Sequence, residues 1–245
     1  MQEYRIDIKI PSSWQHLSDK QLRFVYKLIA SEFSIDEIKT LCLFKWGNIK
    51  MLARKESGEF ILQKSKVIFE VSPLALAEIL PNLDWLASLP PIPFRLSKIN
   101  RCKALPADFE EVPFEKFIMA DNLYQGYLAT ENDSILEELA SVLYGKAMSL
   151  TPPERISVFY WMASLKEFFS RKYSEFFQPI GASDGNLLGS STSVEDAMNA
   201  QIRALTKGDI TKESEILSLD TWRALTELNA QAREYKEINS KLNTK

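Results

Sequence analysis

Glycine is scarce in this chain. Eight glycines in 245 residues is about 3%, against about 7% in ordinary proteins. Three of them, Gly181, Gly185 and Gly189, fall close together. The rest is nearly glycine-free, which disfavours folds that need many tight turns and leaves no phosphate-cradling glycine pattern. Histidine is scarcer still. His16 stands alone, and one imidazole builds no usual metal site and activates no distant hydroxyl. Basic runs are missing too. Thirty Lys and Arg against thirty-three Asp and Glu give a net charge of −3, without the positive footprint of a nucleic-acid binder. No apolar run reaches the ~18 residues that a membrane span needs. Met1–Arg5 lacks the apolar core of a signal peptide.

Cysteine is limited to Cys42 and Cys102. Cys42 lies within the apolar run Leu41–Phe44, so it reads as a small buried thiol. Two unpaired thiols suit a reducing cytoplasm. These shortages together argue against an enzyme and predict no cofactor.

What is present is helical signal with a small β element. Tyr4, Ile6, Ile8 and Ile10 alternate with Arg5, Asp7 and Lys9, the period-two pattern of a half-buried strand that Pro11 ends. Ser18-Asp19-Lys20-Gln21 and Ser34-Ile35-Asp36-Glu37 both have capping-box form and predict helix starts. Gly47 is the expected stop of the second helix. Phe60-Ile61-Leu62 and Val67-Ile68-Phe69 flank polar residues and predict a hairpin over 59–71. A helix over 73–80 follows, and Phe94-Arg95-Leu96 suggests a further short strand over 93–97. Pro81 and the cluster Pro90-Pro91-Ile92-Pro93 mark a boundary.

From Phe114 on, the pattern is helical almost throughout. Ser134–Glu137 reads as another capping box, with Gly145 as the stop. Thr151-Pro152-Pro153-Glu154 combines an N-cap, first-turn prolines and an N3 glutamate and predicts one helix to about Phe177. That stretch is dense in aromatics, from Phe159 to Phe177, and is read as buried between other helices. Residues 179–193, rich in Gly, Ser, Asp and Asn, form the expected linker. The expected organisation is therefore a mostly helical body over 1–178 with a small antiparallel sheet, the linker, and a helical module over 194–245. The fold class is mainly α, of α+β type.

The module ends in a long amphipathic pattern. Trp222, Leu225, Leu228, Ala232, Tyr235, Ile238 and Leu242 recur at steps of three and four, a nearly heptad seam. Arg223, Glu227, Arg233, Glu234, Lys236 and Glu237 occupy the opposite face. A single apolar stripe must cover something: the body of the same chain, a second copy, or another protein.

Candidate chemistry is thin. His16 has no metal-ligand partner in spacing and reads as a surface or capping residue. Asp108, Glu110, Glu111, Glu137 and Glu138 are acids that two-carboxylate catalysis would require across a cleft, but in a chain this charged they read as solvated. Ser190–Ser193 supplies hydroxyls without a base beside them.

The stretch Ala204–Lys212, then Glu215-Ile216-Leu217, then Trp222–Tyr235 resembles the C-terminal part of bacteriophage tail assembly chaperones. Leu205, Gly208, Asp209, Lys212, Glu215, Leu217 and Trp222 carry the resemblance, which spans about fifty residues. It implies a phage or prophage protein, acting in the cytoplasm of the bacterial host. Such a protein binds the helical tape-measure protein, or another tail protein, and keeps it soluble until tail-tube subunits polymerise around it. A groove or helix that covers a client's apolar stripe is the physical form of that activity. The expected partner surface is the seam from Trp222 to Leu242, with self-association as the other occupant and neither nucleic acid nor membrane as a partner. The rival readings are a structural component of the tail, or an enzyme or nucleic-acid-associated protein with its site in the aromatic helix 152–177.

Overall fold

A computed structural model describes residues 8–177 and 194–242. The fold is mainly α with a small antiparallel sheet near the N-terminus. Two compact units divide the chain: Met1–Pro90 with Pro152–Ser157, and Pro91–Thr151 with Val158–Lys245. The break at Pro90/Pro91 falls inside the proline cluster. The expected linker over 179–193 lies outside the described residues. Residues 194–242 count with the second unit.

The first unit opens with two capped helices, α1 (Asp19–Ala30) and α2 (Ile35–Trp46). Both capping boxes are closed: the Ser18 and Ser34 hydroxyls accept from the amides of Gln21 and Glu37, whose side chains reach back. Each satisfies amide donors that a helix start leaves orphaned. Gly47 ends α2, but not through a left-handed turn, since its φ is −71°. Asn48 makes that turn instead, with φ 53°. Gly47 is needed for close approach: a Cβ there would stand 2.8 Å from the Leu43 carbonyl and 3.0 Å from Ile8 Cγ2.

The sheet has three antiparallel strands in the order β1 (Ile49–Arg54), β2 (Phe60–Lys64), β3 (Val67–Val71). The 59–71 hairpin is present; β1 was not foreseen. Its pattern, Ile-Lys-Met-Leu-Ala-Arg, hides the period of two because the register shifts between Met51 and Ala53, a bulge that resets the alternation. The expected strand over 4–10 falls mostly outside the described residues, and 8–10 are not strand. Likewise 93–97 is irregular; a two-residue ladder, β4 (Lys98–Ile99) with β5 (Cys102–Lys103), follows it in a separate sheet. After β3, Ser72 caps α3 (Pro73–Ile79), with proline in the first turn. A tighter helical stretch, Leu80–Ala87, continues it. The core of this unit gathers Trp14, Leu22, Val25, Tyr26, Cys42, Leu43 and Leu83, all almost fully buried. The Trp14 indole N–H is shared between the carbonyls of Trp85 and Ser88, at 2.9 and 3.1 Å.

The second unit is built on α4 (Phe114–Thr130), α5 (Asp133–Tyr144), α6 (Pro152–Lys172, counted here from Val158) and α7 (Ser174–Phe177). It continues in α8 (Val194–Thr206), α9 (Glu213–Ser218) and α10 (Thr221–Leu242). Helix α5 starts two residues earlier than expected. Asn132, not Ser134, is the cap and accepts from the Ser134 amide. Glu137 is thereby freed and accepts from the Leu150 amide at 3.2 Å. The long helix stops at Lys172 and does not reach Phe177. At the break, the amide of Phe176 is shared between the Tyr173 carbonyl at 3.1 Å and Asn229 Oδ1 of α10 at 3.0 Å. Phe109, Phe114, Phe117, Trp161 and Phe169 are each buried to 1% exposure or less and meet edge-on or stacked, the packing aromatic quadrupoles favour.

Candidate functional site

Helix α10 is anchored at its start by the loop that leads into α4. Thr221 donates both its amide and its hydroxyl to the Val112 carbonyl, at 2.8 and 2.7 Å. The Phe114 amide donates to the Leu219 carbonyl at 2.8 Å, and the Glu111 amide to Asp220 Oδ2 at 2.6 Å. Trp222 closes this staple. Its indole N–H donates to the Asp108 carbonyl at 2.7 Å, its ring meets Phe168, and Lys172 Nζ lies 3.0 Å from its ring centroid, within cation–π range. The Tyr173 hydroxyl donates to the Trp222 carbonyl at 3.2 Å.

The seam read from the sequence therefore divides in two. Leu225 and Leu228 are buried and Trp222 half-buried, so these three are packed within their own unit and are not open surface. Ala232 is half-buried. Tyr235 and Ile238 are 62% and 57% exposed: steps averaging fewer than 3.6 residues carry the stripe round the axis, so that Ile238 stands about 140° from Leu225. The side chain of Leu242 lies outside the described residues. Around the exposed end stand Arg233, Glu234 and Glu237, also exposed, while Lys236 reaches Glu175 at 3.1 Å. The stripe is core at its start and bare further on because it winds off the buried face as the helix lengthens. Tyr173, one of the aromatics of the 152–177 stretch, completes the wall of that face with Asn229 and Asp220, which the sequence did not single out. Their only signal is polar character at helix ends and breaks, which local periodicity does not read.

The turn before this helix holds Leu205, Gly208, Asp209 and Lys212. Gly208 takes φ 82°, a conformation open to glycine. Asp209 accepts from the Thr211 amide and hydroxyl at 3.1 and 2.6 Å, and these bonds hold its carboxyl below the ordinary range. Lys212 is 3.7 Å from it. Leu205 is buried.

Chemistry elsewhere is used structurally. His16 Nδ1 is held by the Ser12 and Ser13 hydroxyls at 2.9 and 3.2 Å. Asp108 accepts from the Glu110 amide at 3.3 Å. Trp161, the centre of the aromatic helix, is fully buried; its indole donates to the Ala107 carbonyl at 2.7 Å, and Arg95 and Tyr144 close over its ring. The aromatics of this helix from Phe159 to Phe177 are buried or half-buried, so the helix offers no exposed platform for bases. Among the described residues, no three His, Cys, Asp or Glu side chains gather as a metal site, and no helix is long and apolar enough to cross a membrane.

In the first unit, a second apolar feature lies between α2 and the sheet. Phe33, Leu41, Phe44, Met51, Phe60 and Leu76 line a groove of about 380 Å³, with Asp36, Glu37 and Thr40 at its rim. Met51 is 58% exposed on β1.

No protein-family model, no curated protein and no solved structure matches this chain.

Proposed function

We propose that this chain is a non-enzymatic tail assembly protein of a phage or prophage, acting in the host cytoplasm by binding a helical client such as the tape-measure protein. The observation that carries this reading is the split stripe of α10. Trp222, Leu225 and Leu228 fix the helix to its unit, and further along it Tyr235 and Ile238 stand apolar and exposed. A helix presenting two exposed apolar anchors three residues apart is suited to pair with another amphipathic helix. A client with its own bare apolar stripe would be kept soluble by that pairing, because both stripes leave water together. The resemblance of residues 204–235 to tail assembly chaperones supplies the client class. Two cysteines without a disulfide suit a reducing compartment.

The test is co-expression with a phage tape-measure protein as the client. Deleting 195–245 would remove Leu225 and Leu228 from the core, so point variants are the right probe. The wild-type chain is expected to hold the client in solution, and Tyr235→Glu with Ile238→Glu to lose it while keeping the fold. Capture that is absent in the wild type, or unchanged in the double variant, would overturn the reading.

A further inference from the structure

One rung of the three-stranded sheet is core at one end and surface at the other. Leu62 of β2 stands opposite Met51 of β1, so the two share a face. Leu62 is 2% exposed and Met51 58%. From Met51 the apolar surface runs on into the groove against α2, where Phe60, Leu41 and Phe44 line it and Phe33, 41% exposed, closes it. The polar groups of its rim are already bonded. The Thr40 hydroxyl donates to the Asp36 carbonyl at 2.7 Å. Glu37 accepts from the Ser34 amide and hydroxyl at 2.8 and 2.7 Å. The groove therefore suits an apolar occupant, which brings no polar group that would need a partner there.

Charge at the rim says what flanks that occupant. On the α2 side stand the Asp36 and Glu37 carboxylates. The Asp36 side chain is 81% exposed, and Lys39, 3.8 Å from it, is held more closely by Asp84, at 2.7 Å. The Ser34 bonds hold the Glu37 carboxyl below its ordinary range, so it stays anionic. On the sheet side the sign reverses. Arg54 stands over the Phe60 ring, 5.4 Å from its centroid.

We propose that this groove docks an amphipathic helix of a partner protein, one that buries two large apolar side chains a turn apart and carries Lys or Arg on the flank facing α2. Helices dock in apolar grooves through anchors at that spacing. The groove, about 380 Å³, is at the small end of the range of about 300–1,000 Å³ for clefts that hold ligands, which suits a pair of anchors better than a longer row. The rim charges set orientation more than affinity: the cation meets Asp36 and Glu37, and the flank toward Arg54 is acidic or uncharged. The groove lies in the first unit and α10 in the second, so this docking site does not rest on the client reading.

A displayed library of helical peptides tests it, with the full chain carrying Tyr235→Glu and Ile238→Glu as bait, so that the distal half of α10 selects nothing. Enriched peptides are expected to pair large apolar residues three or four positions apart, with Lys or Arg on one flank only. A fluorescein-labelled peptide from that selection should bind the wild-type chain at least tenfold more tightly than Phe33→Gln with Met51→Gln. Asp36→Lys should weaken it at least threefold, and the same peptide with its cation changed to Glu should show the reverse order. All three substituted side chains are exposed, and unchanged unfolding midpoints check the fold. No enrichment, enrichment of acidic or uncharged peptides, or unchanged binding in either variant would overturn the inference. So would a wild-type dimer that Phe33→Gln with Met51→Gln dissolves, which would identify the occupant as a second copy. Client capture is read through Tyr235 and Ile238, so failure here and failure of the client reading are separable.

Discussion

Trp222 on the last helix donates its indole N–H to the carbonyl of Asp108 at 2.7 Å, across 114 positions of sequence. That bond, with Thr221 on Val112, turns the first turn of α10 into part of a core. Trp222→Phe keeps an aromatic ring but gives up part of its area and leaves a partly buried carbonyl without its donor. It should destabilise the protein by about 1 kcal/mol, and Trp222→Ala by about 3 kcal/mol or more. Urea unfolding followed by circular dichroism reads both.

Equal-looking stripe residues should behave unequally. Leu225 is fully buried, and Leu225→Ala should cost about 2–5 kcal/mol through lost burial and a residual cavity. Ile238, 57% exposed on the same stripe, should shift stability by no more than about 0.5 kcal/mol when changed to Glu. Similar losses for the two variants would mean that the distal half is also covered.

Gly47→Ala should be costly although φ there is ordinary for any residue. The added Cβ would press on the Leu43 carbonyl, which is backbone and cannot swing aside. Overpacking of this kind costs about 1–3 kcal/mol. A melting temperature equal to wild type would show that Ile8 and the end of α2 do not approach as described.

Alkaline pH should weaken the first unit through Cys42. Burial pushes its thiol from an ordinary 9.0 up to about 12. The folded state therefore keeps a proton that the unfolded chain releases above pH 9. That contribution is complete below pH 9 and is lost as pH rises toward 12, by at most about 1.4 kcal/mol per pH unit. Burial also raises the phenols of Tyr124, Tyr160 and Tyr173, so the comparison must isolate the thiol. The stability gap between wild type and Cys42→Ala should narrow between pH 8 and pH 11 in urea titrations. A constant gap would contradict the cause.

Local signals were the legible ones. Ser18 with Gln21, Ser34 with Glu37 and Gly145 each announce a helix end within four residues, and the structure forms all three. Where several caps compete, as at Asn132, Asp133 and Ser134, the periodicity alone does not choose among them; the demand of the Leu150 amide for Glu137 is visible only in three dimensions. β1 was hidden because its bulge breaks the alternation. The stripe from Trp222 to Ile238 was plain, but not which half had a wall. That wall is Asp108, Val112 and Phe168, far away in sequence, and no local pattern reports it.

We propose Tyr235 and Ile238 as client anchors on a helix whose first half is core. The most direct measurement is the affinity of the folded chain for the tape-measure protein, with Ile238→Glu compared against Arg223→Glu, exposed at the anchored start of the helix. The account predicts at least a tenfold loss for Ile238→Glu, less than twofold for Arg223→Glu, and unchanged unfolding midpoints for both. Equal affinities for the two variants would contradict it.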